Sequence, residues 1–276
     1  MTADNTTNNN IRMQPLNLSI CVVLYESVET TQRFHQALME SLAAFDGYEV
    51  LYYDNSPGDT LAQWFSTRLQ PGVHYQHDPR NLGFSFGNNQ LILRAQHERI
   101  LLLNPDVFGL DAAAWPEIAA KPTDGQARFA RLLNADGSFQ DCVGEVSSLS
   151  RVFRKRPDYA AIRQPTEVGM GIMAFMLTEK SVFAKVGLLD CSYPLYAEDM
   201  DWCFRASQAG MRVLYDPTIE LTHLGGASAQ ERWARSAGLR RKYAAERIFI
   251  DKHMHGLNWA AMRLLNMLKV AIKARA

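Results

Sequence analysis

Cysteine is scarce and unpatterned: Cys21, Cys142, Cys191 and Cys203 are the only four, and no C-x-x-C pair occurs. That excludes a zinc ribbon and a disulfide scaffold, and it suits a reducing compartment. A surplus of either charge is also missing, with 29 Lys+Arg against 29 Asp+Glu. Nucleic-acid binders carry a basic excess, so no nucleic-acid partner is expected. No apolar run reaches the roughly 18 residues of a membrane span. The first ten residues, MTADNTTNNN, lack the apolar core of a secretory signal, so residues 1–15 read as a disordered polar tail and the protein as cytoplasmic. Neither G-x-G-x-x-G nor G-x-x-x-x-G-K-[ST] is present, which argues against dinucleotide enzymes and P-loop NTPases. What is there is ordinary globular material, 47% hydrophobic and 21% charged. At 276 residues it is long enough for one large domain with a sizeable core.

The order of elements sets the fold class. Short apolar runs predict strands at 20–25, 48–53, 73–75, 100–103, 171–177 and 212–215. Phe34, Ala37, Leu38, Ser41, Leu42 and Phe45 recur at helical spacing, with Gly47 as the stop. Further helices are predicted near 59–69, 85–97 and 198–209. Strands alternating with helices imply an α/β fold around a mostly parallel sheet. Asp136-Gly137 predicts a hairpin turn between 130–134 and 139–143. Thr178 stands where it can cap a helix ending at Gly187. From about Ala229 the chain reads as helical.

In open α/β sheets ligands bind beyond the C-terminal strand ends. Three polar clusters fall there: Asp54-Asn55, Arg80-Asn81-Leu82-Gly83 and Asn104-Pro105-Asp106. Each has a plain turn reading. The stretch NLGFSFGNN at 81–89 is harder to assign to a turn alone, because glycine permits close backbone approach and Asn offers paired donors and acceptors. Glu198-Asp199-Met200-Asp201 opens a helix. Acids there are favoured by the helix dipole, ~0.3–1 kcal/mol each, so capping is the structural alternative. His223 sits beside Gly225-Gly226 in a loop.

Together these clusters resemble the inverting family 2 glycosyltransferases of GT-A fold, and among them the bacterial rhamnosyltransferase-like members. The resemblance runs from about Leu18 to Ser228. Asp54-Asn55-Ser56 with Asp59 looks like the family's V-D-N-x-S-x-D loop, and 81–89 matches its N-x-G-F-x-x-G-N-N. LLLNPD at 101–106 resembles a variant of the D-x-D metal motif. GMGIMAFMLTEKSVFAKVGLLD, YAEDMDWCFRASQAG and HLGGAS resemble its second half. The resemblance implies one GT-A domain over 16–228, with a nucleotide-sugar half to about 106, an acceptor half from 107, and a helical extension over 229–276.

Roles follow by resemblance. Asp54, with Tyr25 near it, would read the base, and Asn55, Arg80, Asn81, Gly83, Asn88 and Asn104 would line the nucleotide-sugar pocket. Asp106 and His223 would hold a divalent metal, Mg²⁺ or Mn²⁺. Asp199 would be the catalytic base. Glu198, Asp201 and Trp202 would meet the acceptor, with Arg205 pairing Asp201. Asn104 replaces the first Asp of D-x-D, and Asn is a poorer ligand for a cation. The implied donor is dTDP-β-L-rhamnose, with a UDP-sugar as the alternative. The implied acceptor is a saccharide or a lipid-linked glycan. A catalytically silent sugar-nucleotide or glycan-binding module and a different α/β nucleotide enzyme are the competing readings.

The chemistry asks for such groups. The leaving diphosphate must be neutralised, which a metal held by carboxylate oxygens does as a Lewis acid. The acceptor hydroxyl must lose its proton to a base, typically worth 10²–10⁴-fold. One base facing the departing group across the sugar gives a single displacement and inversion.

Near the C-terminus Ala261, Leu264, Leu265, Leu268 and Ile272 form a helical stripe beside Arg263, Lys269, Lys273 and Arg275. Peripheral contact with an anionic membrane, packing on the domain, and packing on a second subunit as a homo-oligomer all fit. All residues assigned to chemistry end at His223, so removal of residues after about His255 is expected to spare the pocket.

Overall fold

The computed structural model describes residues 14–225 and 235–273. Its first half follows the predicted alternation: β1 (Gln14–Leu24), α1 (Val28–Leu42), β2 (Phe45–Asp54), α2 (Thr60–Phe65), β3 (Val73–His77), α3 (Phe84–Arg94), β4 (Arg99–Leu103). The polar tail was expected to reach residue 15, but β1 already begins at Gln14. Gly47 is not the helix stop. It lies inside β2 at φ 62°, against Pro15, while α1 ends at Leu42 with Ala43 as its C-cap.

The second half is more broken. It contains β5 (Val107–Phe108), α4 (Ala114–Ala120), β6 (Gln126–Leu133), β7 (Val143–Gly144), α5 (Leu149–Val152), β8 (Thr166–Glu167), β9 (Met170–Gly171), β10 (Phe175–Glu179), α6 (Lys180–Val186), α7 (Glu198–Gln208) and β11 (Arg212–His223). The turn at Asp136-Gly137 forms, closed by Asn134 N to Ser138 O at a distance of 2.8 Å. Thr178 does not cap α6. It is buried within β10, and its hydroxyl donates to the Gln126 carbonyl at 2.9 Å. The strand predicted at 171–177 is two pieces, β9 and β10, in different sheets.

The main sheet runs β3-β2-β1-β4-β10-β6-β11-β5, with β8 alongside β11. β1 pairs β2 and β4 in parallel, β2 pairs β3 in parallel, and β6 pairs β11 in parallel. Only β10, β5 and β8 run antiparallel to their neighbours. β1, β2, β3, β4, β6 and β11 therefore end at one edge. That edge receives Tyr25, Asp54-Asn55, Arg80, Asn104–Asp106 and His223.

Helices pack on the sheet through apolar faces. α1 buries Phe34, Leu38 and Leu42. α3 lies so close that a Cβ on Gly87 would come within 2.9 Å of Val23 Cγ2. Two helices follow, α8 (Arg235–His253) and α9 (Gly256–Lys273). α8 closes a second apolar cluster in which Phe249 and Ala245 meet Tyr193, Ala197 and Met200. α9 packs on α8, with Met262 and Asn266 buried. The predicted stripe therefore splits. Ala261 and Leu265 are half-buried, whereas Leu264, Leu268 and Ile272 are exposed at 58%, 47% and 69%. Among the described residues no helix is long and apolar enough to cross a membrane.

Candidate active site

The nucleotide-side loops are tied to one another by side chains. Asp54 is fully buried, and its carboxylate accepts from the Ser56 backbone N–H at 2.8 Å and from the Tyr75 hydroxyl at 2.5 Å. Burial and that carboxylate push the Tyr75 hydroxyl up, so it stays a donor. Asn55 spans to the next loop: its Nδ2 donates to Gly83 O at 3.2 Å, and its Oδ1 accepts from Leu82 N at 3.2 Å. Arg80 makes a two-pronged contact with Asp78, at 2.8 and 2.6 Å, and holds the Asp78 carboxyl well below the usual range. Tyr25 is half-buried after β1.

The 81–89 stretch divides by role. Asn81, exposed at φ 46°, and Gly83, at φ 91° as the N-cap of α3, shape the turn before the helix. Gly87 is a packing glycine. Asn88 is buried, and its Nδ2 donates to Phe84 O at 3.1 Å. Asn89 donates to Leu189 O at 2.8 Å and accepts from Leu189 N at 2.9 Å. The run thus fixes the approach of the 187–196 loop as well as facing the sheet edge.

Asp106 and His223, distant in sequence, meet: His223 Nε2 lies 3.2 Å from Asp106 Oδ1. The far ring nitrogen, Nδ1, is 2.6 Å from Gln140 Oε1. With Nδ1–H donating to that oxygen, Nε2 keeps its lone pair toward Asp106, the arrangement common behind metal-bound imidazoles. An oxygen and an imidazole nitrogen suit a divalent cation. Among the described residues no cluster of three or more Asp, Glu, His or Cys side chains joins them. Asn104 precedes this pair, its backbone N–H donating to Ala174 O at 2.9 Å. Gly226 and Ser228, part of the HLGGAS resemblance, lie outside the described residues.

Glu198 and Asp199 open α7 behind two consecutive left-handed residues, Tyr196 at φ 70° and Ala197 at φ 66°. Such non-glycine conformations cost about 1 kcal/mol or more each and persist where surrounding packing imposes them. Asp199 takes the Met200 N–H at 2.7 Å. Burial raises its carboxyl above the ordinary range; the Met200 N–H and the Lys242 cation on α8 pull the other way. Glu198 is raised by burial and by the neighbouring Asp199 charge, and among the described residues its buried Oε2 has no hydrogen-bond partner.

Asp199 faces a cavity of about 1230 Å³ between the domain and the C-terminal helices. The expected acceptor residues Asp201 and Trp202 do not. Asp201 is 1% exposed and takes Tyr193 OH at 3.1 Å, Arg205 Nε at 2.8 Å and His253 Nε2 at 2.7 Å. Trp202 is fully buried, with Nε1 donating to Gly187 O at 3.0 Å. Both hold α7 in place instead, because their polar atoms are already satisfied internally. Gln140 and Lys242 carry no sequence signal that would have marked them; each acts on a residue found 83 or 43 positions away.

No family profile matches the chain. It is similar to the low-salt glycan biosynthesis hexosyltransferase Agl10 of Haloferax volcanii, 25% identical over 215 residues, covering 75% of this chain and 66% of that protein. It is also similar to the N-acetylglucosaminyl-diphospho-decaprenol L-rhamnosyltransferase of Mycobacterium tuberculosis, 27% identical over 241 residues and 75% of each chain. The chain thus spans just under two thirds of the first relative and three quarters of the second. Among solved structures, the mannosyltransferase PcManGT of Pyrobaculum calidifontis, in complex with GDP-Man and Mn²⁺, superposes at TM-score 0.58 over 96% of this chain and 72% of that one, at 13% identity. GalNAc-T7 with UDP, GalNAc and Mn²⁺ superposes at 0.55 over 77% of this chain and 44% of that one, at 14% identity. At such identities the superpositions speak for the fold. The fold neighbours show a fold of the GT-A type, and the sequence relatives, both named as glycosyltransferases, support glycosyl transfer as the activity.

Proposed function

We propose that the protein is a metal-dependent, inverting family 2 glycosyltransferase that moves a sugar from a nucleotide donor to a saccharide or lipid-linked acceptor. The observation that carries this reading is the pairing of two built features in one GT-A domain: Asp106 with His223, oriented by Gln140, and Asp199 in the wall of a large cavity.

Asp106 and His223 would hold the divalent metal, which when bound supplies Lewis-acid neutralisation of the leaving diphosphate. Asn55, Asn81 and Gly83 position the donor loop, and Asp54 with Tyr75 fixes its base-side end. The acceptor hydroxyl gives its proton to the Asp199 carboxylate as its oxygen bonds the anomeric carbon. The bond from that carbon to the diphosphate oxygen breaks, and the electron pair leaves with the diphosphate. One displacement inverts the anomeric centre.

The donor sugar proposed first is L-rhamnose, from dTDP-β-L-rhamnose. It is supported by the sequence likeness to a protein named as an L-rhamnosyltransferase. The test is thermal stabilisation by dTDP-, UDP- and GDP-sugars with and without Mn²⁺ or Mg²⁺, followed by assay of sugar transfer. A true donor at a hundredfold excess over its Kd stabilises by ~2.7 kcal/mol. Stabilisation by no nucleotide-sugar, or full transfer in excess chelator, would overturn the reading. The exposed apolar face of α9 supports a further proposal, peripheral contact with a membrane surface.

A further inference from the structure

A base must stand in register with the hydroxyl it deprotonates, yet the backbone that carries Asp199 is strained. Tyr196 and Ala197, the two residues before Glu198, are both left-handed without being glycine. Such a turn keeps its shape only where its surroundings hold it. The segment leading into it is held from α7, α3 and α8. Arg205 of α7 donates to the carbonyls of Val186 and Leu188 at 2.8 and 2.9 Å, and Trp202 to that of Gly187 at 3.0 Å. Asn89 of α3 brackets Leu189 through its amide. The remaining hold comes from the end of α8.

Lys252 Nζ donates to Ser192 Oγ at 2.6 Å, pairs with Asp190, and lies 5.0 Å from the centre of the Tyr193 ring. His253 Nε2 donates to Asp201 Oδ1 at 2.7 Å, and the same oxygen accepts from the Tyr193 hydroxyl at 3.1 Å. The imidazole is wedged between Phe204 of α7, at 4.7 Å, and Phe249 of α8, at 4.8 Å. Asp201 is buried, so water does not readily replace a donor lost from it. One carboxylate thus joins α7, the loop before it and α8. Lys252 and His253 stand beyond Ser228, outside the stretch that carries the family motifs.

Resting on the glycosyl-transfer reading, we propose that Lys252 and His253 are positioning residues for Asp199. They act through Asp190, Ser192, Tyr193 and Asp201, which set where the left-handed turn and the first turn of α7 stand. Asn89 anchors the same loop from the donor-side helix, so the base is placed between that helix and the C-terminal one. Without the clamp the strained turn relaxes and Asp199 drifts. The donor loops, which hang on β1 to β4, keep their places.

The test compares wild type with His253→Phe, which keeps a ring between Phe204 and Phe249 but cannot donate, and with His253→Gln, whose amide can. Amide hydrogen exchange over residues 190–199 is expected to quicken about tenfold or more in His253→Phe, while β1 to β4 keep wild-type rates. His253→Gln is expected to restore most of the protection. In the transfer assay kcat is expected to fall about 10–100-fold in His253→Phe at an unchanged donor KM, and to recover in His253→Gln. Added to Asp199→Asn, His253→Phe should cost residual transfer nothing further, because both changes act at one group. Lys252→Met, at a partly exposed position, should show the same pattern at smaller size, and it carries the test if His253→Phe does not fold. A residue that only stabilised the fold would lower the melting temperature and leave kcat unchanged wherever the protein stays folded. That result, or wild-type exchange over 190–199 in the folded variants, would overturn the proposal. A wild type without transfer would instead overturn the glycosyl-transfer reading, and the exchange measurement, which needs neither donor nor metal, would still decide whether the clamp exists.

Discussion

Asp199 sits where two opposing influences meet, and its protonation state is the quantity to measure. Burial favours the neutral acid, whereas the Met200 N–H and Lys242 favour the carboxylate. A base works only when ionised, so kcat/KM should rise with pH through a raised carboxyl pKa. The acid limb of the profile is then expected above the ordinary carboxylate range. Lys242→Met should push that limb higher still, and Lys242→Arg should return it. A limb that Lys242→Met leaves in place would remove Lys242 from this role. Asp199→Asn keeps shape but cannot accept a proton, so transfer should fall by ~10²–10⁴ while nucleotide-sugar still stabilises the fold. Glu198 makes a different prediction. Its folded pKa is raised, so the stability it allows is complete below the unfolded Glu value and is lost as pH rises through the folded value. Glu198→Gln should therefore lose less melting temperature than wild type between about pH 5 and about pH 9. Parallel melting curves for the two proteins check it.

At the scale of elements, the first half of the fold was legible because its signals are local. Apolar runs and helical spacing placed β2 to β4, α2 and α3 within a few residues, whereas β1 begins at Gln14, well before the predicted 20, and α1 spans Val28–Leu42, short of the predicted stop at Gly47; parallel order put their loops on one edge. The motif residues were legible as a set, but their individual duties were not. NLGFSFGNN reads as ligand-facing, yet Gly87 is spent on contact with Val23, and Asn89 on a clamp to Leu189 one hundred positions away. Periodicity carries no information about such pairings. Asp201 shows the same limit in part: its acid and its pairing with Arg205 one turn on were visible, and that pair forms, but the Tyr193 and His253 groups that also enclose it were not. Gln140 is the clearest case, since nothing in its neighbourhood marks it as the partner of His223. Gln140→Leu should free the imidazole to take the other tautomer and weaken Mn²⁺ affinity by about 10–100-fold, as loss of such supporting groups typically does. Direct titration with Mn²⁺ at constant melting temperature would detect it, and an unchanged affinity would contradict the assignment of His223 as a supported ligand.

At the scale of the molecule, the C-terminal helices are integral. Sequence reasoning expected their removal after about His255 to spare the pocket, because every assigned residue ended at His223. The packing overturns that expectation: α9 supplies Lys269 and Ile272 to the cavity and ties to α8 through Asn266 Nδ2 and Tyr243 O at 3.1 Å. Truncation should lower the melting temperature and reduce transfer even to a small soluble acceptor. Membrane contact therefore needs a gentler probe than deletion. One face of α9 is buried on α8, whereas Leu264, Met267 and Leu268 stand exposed without serving the core. Phe153 is 82% exposed in the cation-rich 151–156 segment near the same helix. An apolar face beside cations suits an anionic bilayer surface. Leu264→Asp with Leu268→Asp removes apolar contact and adds like charge to the lipid, while leaving the buried side of α9 untouched. Sedimentation with anionic vesicles should fall at least tenfold, and the melting temperature should stay within a few degrees. Binding by wild type should also weaken with added salt, because the cationic share of the attraction is screened over ~10 Å at 0.1 M. If the double variant sediments like wild type, α9 does not meet the membrane. If it instead loses a dimer in solution, the exposed face belongs to a second copy of the chain.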